Sequence, residues 1–77
     1  MAFDVLLLNP KEILFEGKAK SVIVPGEEGV FEILSFHKPI LSRLIYGTVY
    51  VDNQRFYIKR GIISFYQNKA TIIVEEV

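Results

Sequence analysis

Turn-forming residues recur along this chain at intervals too short for a long helix. Glycine, proline, asparagine and aspartate favour or impose the backbone angles of turns, and they interrupt helices and strands. These signals fall at Asn9-Pro10, Gly17, Pro25-Gly26, Gly29, Pro39, Gly47, Asp52-Asn53, Gly61 and Gln67-Asn68. Many of the short runs between them alternate apolar with polar side chains, which is the period of a strand. The sequence therefore predicts an all-β fold, an antiparallel sandwich or barrel of about eight to ten short strands.

The turn signals also predict where the strands begin and end. The first strand, residues 2–8, is expected to end at Asn9-Pro10, and Gly17 is expected to end the second strand. Gly61 is expected to break the strand that follows the tight hairpin turn at Asp52-Asn53. The other predicted strands are residues 18–24, 30–34, 48–51, 54–60, 62–66 and 70–75.

The chain is predicted to form one domain, residues 1–77, around a single core. A chain of this size buries only about 60% of the surface that its unfolded form exposes, so its core must be efficient. Apolar residues make up 51% of the chain, more than one small core needs. We therefore expect an apolar outer face as well. Alternation in the last strand predicts that Ile72 and Val74 point to one side, with Thr71 and Ile73 on the other.

Charge and composition argue against several classes of function. Nine basic and nine acidic residues cancel, so no net field attracts nucleic acid or an anionic membrane. The absence of cysteine leaves no disulfide and no thiolate metal site, as expected in a reducing compartment. No apolar run reaches the roughly 20 residues of a membrane span. One histidine, scattered carboxylates and no phosphate-binding fingerprint give no basis for catalysis or for cofactor binding.

The segment of residues 25–44 carries most of the specific information in the chain. Pro25-Gly26 suits the centre of a type II turn, because proline presets φ and glycine takes the positive φ that follows. Gly29 offers a second hinge. Glu27 and Glu28 are therefore predicted at a loop tip, where solvated turn residues and partner-binding residues look alike.

A second loop is predicted around His37, near the first one, because Pro39 blocks ladder pairing at its own position. The structural interpretation of His37 is a loop imidazole bonded to a neighbouring carbonyl, and the alternative is a contact with a partner. Phe36 can equally pack into the core or serve as an exposed anchor. After this loop, Ile40-Leu41 and Leu44-Ile45 are expected to add to the core.

Two kinds of function are consistent with the predicted strands. Arg55, Tyr57 and Lys59 share one face of a predicted strand, with Tyr66 near it, and such a mixture of cations and aromatic rings is typical of single-strand nucleic-acid binders. The same pattern also describes the wet side of an ordinary sheet, and the neutral net charge favours that interpretation. The other possibility is a domain that extends the sheet of a partner through a strand edge.

The ordered motif PGxxGxFxILxxHxPILSxL over residues 25–44 resembles the signature of the epsilon subunit of F-type ATP synthase, usually PGxxGxFGILPGHxPLLTxL. The likeness extends over nearly the whole chain. Residues 12–17 are similar to the early E-x-x-L-F-x-G of the family, and residues 21–24 to its S-V-x-x-P approach. Residues 61–63 and 68–72 are similar to its closing G-F-L and N-x-V-T-V segments.

This resemblance implies a flattened β-sandwich at the foot of the central stalk of the F1 sector. Such a subunit binds the gamma subunit through an apolar sheet surface, rests on the ring of c subunits and rotates with both. It would couple ion flow to ATP synthesis without catalysing a reaction, peripherally at the cytoplasmic face of a bacterial membrane and with no nucleic acid as partner. The resemblance assigns the ring contact to Glu27, Glu28, Gly29, Val30, Phe31 and His37.

The chain also departs from the family pattern. Glu32 stands where the family has glycine, and Ser35 and Phe36 stand where it has proline and glycine. Because phenylalanine is strained wherever glycine takes positive φ, the loop before His37 is predicted to have another shape. The family usually continues into a two-helix domain that inhibits ATP hydrolysis, whereas this sequence ends at Val77. The resemblance therefore implies neither that inhibition nor nucleotide binding for this molecule.

Overall fold

A computed structural model describes the whole chain, Met1–Val77, as eight strands without a helix. The all-β prediction is therefore confirmed. The structure contains no helix long and apolar enough to span a membrane. The strands are β1 (Phe3–Leu8), β2 (Ile13–Ala19), β3 (Ser21–Gly26), β4 (Gly29–Leu34), β5 (Ile40–Leu44), β6 (Gly47–Val51), β7 (Gln54–Tyr66) and β8 (Lys69–Glu76).

All eight strands belong to one sheet that folds over on itself. The order is β2-β1-β8-β7-β5-β3-β4, and β6 pairs with both β3 and β7. The 13-residue strand β7 pairs with β6 through residues 54–58 and with β5 through residues 61–65. It therefore runs through both layers of a flattened sandwich, whose principal extents are 30 × 27 × 20 Å. Strands β2 and β4 remain as free edges.

The pairing is antiparallel, as predicted, except between the first and last strands. Strands β1 and β8 are parallel, with Leu7 opposite Ile72. Parallel neighbours need a crossover, and here the whole chain between the two strands provides it. Alternation of apolar residues specifies which side chains face inward but not the direction of the neighbouring strand, so the sequence did not predict this pair.

Two glycines expected to interrupt strands lie inside them, so both predictions were wrong. Gly17 pairs with Val5 in the middle of the β1–β2 ladder. Gly61 continues β7 and pairs with both Leu44 and Val74. A Cβ atom at position 61 would lie 2.7 Å from the carbonyl oxygen of Ile73, so glycine here permits a close approach of backbones rather than ending the strand.

The predicted strand over residues 18–24 is instead divided at Lys20, between β2 and β3. The side chain of Asp52 explains the break, because its Oδ1 accepts hydrogen bonds from the backbone N–H groups of Lys20 and Ser21, each at 3.0 Å. Asp52 itself has a φ of 52° in the turn between β6 and β7, so that predicted hairpin is confirmed. One hairpin residue thus ends a strand that lies elsewhere in the sequence.

The type II turn centred on Pro25-Gly26 is also absent, because both residues continue β3. Gly26 pairs with Gly29, which leaves Glu27-Glu28 as the two-residue tip of the hairpin. Pro25 is opposite Val30, next to the closing pair of the hairpin. Hydrogen-bonded and non-hydrogen-bonded pairs alternate along an antiparallel ladder, so no backbone N–H of residue 25 is needed to donate to β4. Its carbonyl oxygen accepts a hydrogen bond of 2.8 Å from the backbone N–H of Ile45.

The core between the layers consists of sixteen buried residues, all of them apolar. Ile72 and Val74 belong to it and Ile73 does not, as alternation predicted. Phe3 and Phe65 meet edge to face, with ring centroids 5.5 Å apart. Residues 40–45 contribute less to the core than predicted. Leu44 is buried and Ile40 is partly buried, whereas Leu41 and Ile45 are exposed.

Replacing Gly47 by alanine is expected to lower the free energy of unfolding by about 1–3 kcal/mol. A Cβ atom at Gly47 would lie 2.9 Å from Cβ and 3.1 Å from Cγ of the rigid Pro25 ring. Urea denaturation measures the effect. The matched control is Gly17→Ala, whose new methyl group would meet nothing nearer than the Phe15 ring at 3.7 Å. Equal stability of the two variants would contradict the close packing of β6 on Pro25.

Candidate functional site

The glutamate hairpin, Gly26–Gly29, projects at one end of β3 and β4. Glu27 and Glu28 are exposed at its tip, as predicted, and Gly29 has a φ of 131°. The hairpin borders a cleft of about 430 Å³. The far wall of that cleft is formed by Leu41, Ser42 and Arg43 of β5. This site therefore offers two carboxylates beside one cation and one exposed leucine.

The imidazole loop, residues 35–39, joins β4 to β5. His37 closes a turn by donating its backbone N–H to the carbonyl oxygen of Leu34 at 3.1 Å. Its Nδ1 lies 2.7 Å from the carbonyl oxygen of Lys38. Because a carbonyl can only accept, that nitrogen carries the hydrogen. The half-buried ring of His37 is nearly perpendicular to the ring of Phe65, with centroids 5.9 Å apart. His37 therefore makes the predicted bond to a neighbouring carbonyl.

The structure does not bring the glutamate hairpin and the imidazole loop together, contrary to the expectation that they lie near each other. They lie at opposite ends of β4, a strand of six residues that extends about 17 Å at roughly 3.3 Å per residue. What joins them is the free edge of β4. Its exposed side chains are Val30, Glu32 and Leu34. The candidate site is therefore a strip along one edge of the sandwich, closed by a loop at each end.

Phe36 has a backbone conformation that is unfavourable for a residue with a side chain. Its φ is 65°, so the loop contains the strain that motivated the prediction of another shape. A left-handed backbone costs a residue with a side chain about 1–2 kcal/mol. The conformation is held by Asn68, whose Oδ1 accepts a hydrogen bond of 2.7 Å from the Phe36 backbone N–H. The ring does not pack into the core, because 70% of the residue is exposed.

A second feature is an apolar row across the outer face of the layer that contains β2, β1, β8 and β7. Direct register places Leu8 opposite Ile73, and Ile73 opposite Ile62. Ile13 continues the row on β2, opposite Leu8. Ile62 is 39% exposed and Ile73 is 46% exposed. This row confirms the expectation of an apolar outer face.

Two pairs of adjacent isoleucines in the sequence are a signal for the apolar row. Ile62-Ile63 and Ile72-Ile73 are adjacent isoleucine pairs in neighbouring strands. Successive side chains in a strand point to opposite faces. If one member of each pair is in the core, the other must face outward, and register sets the two outward members side by side.

Charged pairs flank the apolar row on the same sheet. Arg60 on β7 donates to the Glu75 carboxylate on β8, and Lys18 lies 2.8 Å from Asp4 across β2 and β1. The hydrogen bond from Lys18, together with its charge, lowers the pKa of Asp4 below its usual value. All four side chains are solvent-exposed, so the pairs frame the row without covering it.

The nucleic-acid alternative finds weak support. Arg55, Tyr57 and Lys59 do face solvent together on β7, as predicted. A cleft of about 520 Å³ begins at Arg55 and Tyr57, but Glu76 forms part of the same wall. A phosphate backbone in that cleft would meet a carboxylate as well as a cation. No three histidine or carboxylate side chains in the structure are grouped so that they could hold a metal ion.

Comparison with known proteins gives consistent results. The family model described as the beta-sandwich domain of the ATP synthase delta/epsilon chain matches residues 2–77. The ATP synthase epsilon chain of Chlorobaculum tepidum is 35% identical over 81 residues, and that of Chlorobium limicola is 33% identical over 81. Each match covers 99% of this chain and 92% of the relative.

A solved structure also shares the fold. The structure is that of the central stalk and c-ring of the Tetrahymena thermophila mitochondrial ATP synthase. It matches 95% of this chain with a TM-score of 0.78 and 18% identity. This chain spans 63% of the solved chain, less than two thirds of its length. At that identity the likeness supports the fold alone.

Proposed function

This chain belongs to the beta-sandwich family of ATP synthase delta and epsilon chains, and from that premise we propose that it is a central-stalk subunit of the synthase. In this role it links the gamma subunit to the ring of c subunits and turns with both. It is a subunit of a membrane-associated complex, held peripherally at the cytoplasmic face. The observation that carries the proposal is family membership over residues 2–77, together with an apolar outer face that nothing in the chain covers.

The apolar row is the surface proposed to bind gamma. Ile13, Leu8, Ile73 and Ile62 present apolar side chains on four neighbouring strands. Burying such a surface is favourable by roughly 25 cal/mol per Å² of apolar area. The sheet beneath the row is stiff, because the opposite faces of β1, β7 and β8 form the core. A partner docked here would therefore move with the whole sandwich.

The edge of β4 and its two flanking loops form the surface proposed to face the c ring. Glu27, Glu28 and Gly29 contribute from one end and His37 from the other. Val30 contributes from the exposed edge between them, where it is 73% exposed. The role of Phe31 differs, because its ring packs inward against the core and beside Gly26. We therefore propose that Phe31 acts on this surface by supporting the hairpin.

The mechanical role needs stiffness and no covalent chemistry. Torque passes from the ring to the stalk only if the connecting element resists shear. The folded sheet supplies that resistance, because β7 belongs to both layers and ties them together. The chain is proposed to be non-catalytic, because its contribution is to hold the gamma subunit and the c ring in register. ATP synthesis itself belongs to other subunits of the complex.

Binding to purified gamma subunit at increasing salt tests this assignment. Because the apolar row carries no charge, raising ionic strength from 0.05 to 0.5 M, roughly a threefold decrease in Debye length, is expected to weaken the complex little. Isothermal titration calorimetry measures the affinity at each salt concentration. A steep loss of affinity with salt would contradict docking through the row. Failure to bind gamma at any salt concentration would contradict the proposed partner.

A further inference from the structure

The layer formed by β4, β3, β6 and residues 54–58 of β7 has an outer face on the opposite side of the sandwich from the apolar row. Cross-strand register places four outward side chains side by side on this face. From β4 to β7 they are Glu32, Ile23, Tyr50 and Arg55. This set is the charged-end row, because it has an anion at one end, a cation at the other and two largely apolar side chains between them.

Exposed aliphatic and aromatic side chains widen the face beside the charged-end row. Val30 lies two residues from Glu32 on β4 and is 73% exposed. Tyr57 lies two residues from Arg55 on β7 and is 58% exposed. Tyrosine offers a large contact area with few rotatable bonds, so exposed tyrosines are typical of protein interfaces. The face therefore suits a protein partner.

The two charges of the charged-end row have no opposite charge to pair with in the same chain. Both ion pairs of the structure lie on the other layer. Glu32 accepts a hydrogen bond of 2.6 Å from the Ser21 hydroxyl, which orients its carboxylate. Arg55 is three strands away, about 14 Å at roughly 4.8 Å between neighbouring strands. Both charged groups are exposed and are therefore available to a partner.

We propose that a second copy of this chain covers this face, in a dimer whose two-fold axis is parallel to the strands. Such an axis reverses the strand order between the copies, so Glu32 of each copy meets Arg55 of the other. In the same way, Ile23 of each copy meets Tyr50 of the other.

The charges select this arrangement over the other two-fold packing of the face. Two sheets that pack face to face keep their strands nearly aligned, and an axis across the strands would satisfy that condition as well. It would, however, place Glu32 against Glu32 and Arg55 against Arg55, and like charges at an interface are unfavourable. The charged-end row is thus complementary to itself in one orientation only.

The dimer is the state of the free chain, because Val30 belongs both to this face and to the surface proposed to face the c ring. A dimer through the face covers part of that surface and must separate before the chain joins the synthase. This consequence rests on the proposed function. The dimer itself is a property of the isolated chain, so its failure would leave the proposed function standing.

Sedimentation equilibrium of the purified chain, at concentrations up to about 1 mM, tests the dimer. The wild-type chain is expected to dimerise. Glu32→Arg and Arg55→Glu each place like charges at both contacts, so each variant alone is expected to raise the Kd of the dimer at least about tenfold. An equimolar mixture of the two variants is expected to dimerise as the wild-type chain does, because both contacts then join opposite charges again.

Two further variants control for the change in charge. The double variant Glu32→Arg with Arg55→Glu is expected to regain the wild-type Kd, since it exchanges the two charges. Glu16→Arg makes the same change in net charge as Glu32→Arg at an exposed position of β2, on the other layer, and is expected to leave the Kd unchanged. The substituted positions are exposed, so all variants are expected to fold, and urea midpoints verify this.

Each remaining outcome overturns a specific statement. A wild-type chain that stays monomeric at about 1 mM contradicts the dimer. If Glu32→Arg and Arg55→Glu associate as tightly as the wild-type chain, or if Glu16→Arg associates as weakly as they do, this face is not the interface. If neither the mixture nor the double variant associates better than the single variants, the two-fold arrangement is wrong.

Discussion

Replacing Ile72 by alanine is expected to lower the free energy of unfolding by about 2–5 kcal/mol. Ile72 is fully buried in the centre of the core, on β8 between β1 and β7. The substitution removes three carbons from a site where strands on both sides limit collapse into the cavity. A domain of this size has about 5–15 kcal/mol of stability in total, so the variant would be close to unfolding under mild conditions.

The next residue along the strand is the matched control for that experiment. Ile73→Ala removes the same three carbons from the outer face, where the residue is 46% exposed. Its loss of stability is expected to be small by comparison. Urea denaturation of both variants followed by circular dichroism measures the difference. Similar unfolding midpoints for Ile72→Ala and Ile73→Ala would show that the core does not lie where the structure places it.

Replacing Ile73 by lysine is expected to weaken gamma binding at least about a hundredfold while the chain remains folded. The ammonium group would lie in the middle of the apolar row, between Leu8 and Ile62. Burying an unpaired charge against a partner costs several kcal/mol, and each 1.4 kcal/mol is a factor of ten in affinity. In the free chain the same side chain points into solvent and can extend away from the sheet.

The control for the lysine substitution is Tyr57→Lys on β7. Tyr57 is also exposed, at 58%, but it lies outside the apolar row, on the part of β7 that pairs with β6. Calorimetry with purified gamma measures the affinities, and the urea midpoint of each variant verifies the fold. If Ile73→Lys binds gamma as tightly as the wild-type chain, or if Tyr57→Lys weakens binding as much, the row is not the docking surface.

The parts of the fold that follow from neighbouring residues were predictable from the sequence. The hairpin turns at Asp52-Asn53 and Gln67-Asn68 depend on residues that tolerate positive φ, and both form. Inward and outward positions on β7 and β8 depend on alternation, and the structure confirms them. In each case the physical cause lies within a few residues of the effect.

The parts that depend on long-range pairing were not predictable in the same way. Gly61 looks like a strand break because glycine favours turns, but the approach of Ile73 from β8 makes it the residue that keeps β7 continuous. Lys20 carries no signal for a break, since the cause is Asp52 on another hairpin. The separation of Glu27 from His37, by contrast, follows from the local pattern, because the strand predicted over residues 30–34 lies between them and sets them at its opposite ends.

The clearest physical lesson concerns the two surfaces of the candidate site. The motif over residues 25–44 is contiguous in sequence and includes β4 with its two flanking loops, which were predicted to lie near each other and do not. The apolar row has no sequence motif, because its members come from four strands. Register alone aligns Ile13, Leu8, Ile73 and Ile62. A motif search therefore finds the β4 edge, whose residues are contiguous in sequence, whereas the apolar row is assembled only when the sheet folds.

The central claim is that this sandwich joins the gamma subunit to the c ring within the synthase. The direct measurement is ATP-driven ion pumping by membranes whose synthase has been depleted of this subunit and then supplied with the purified chain. The account predicts that the wild-type chain rebinds and restores the number of ions pumped per ATP hydrolysed, and that Ile73→Lys does not. The account would be contradicted if the wild-type chain did not rebind to the depleted synthase, or if it rebound and left the number of ions pumped per ATP hydrolysed unchanged.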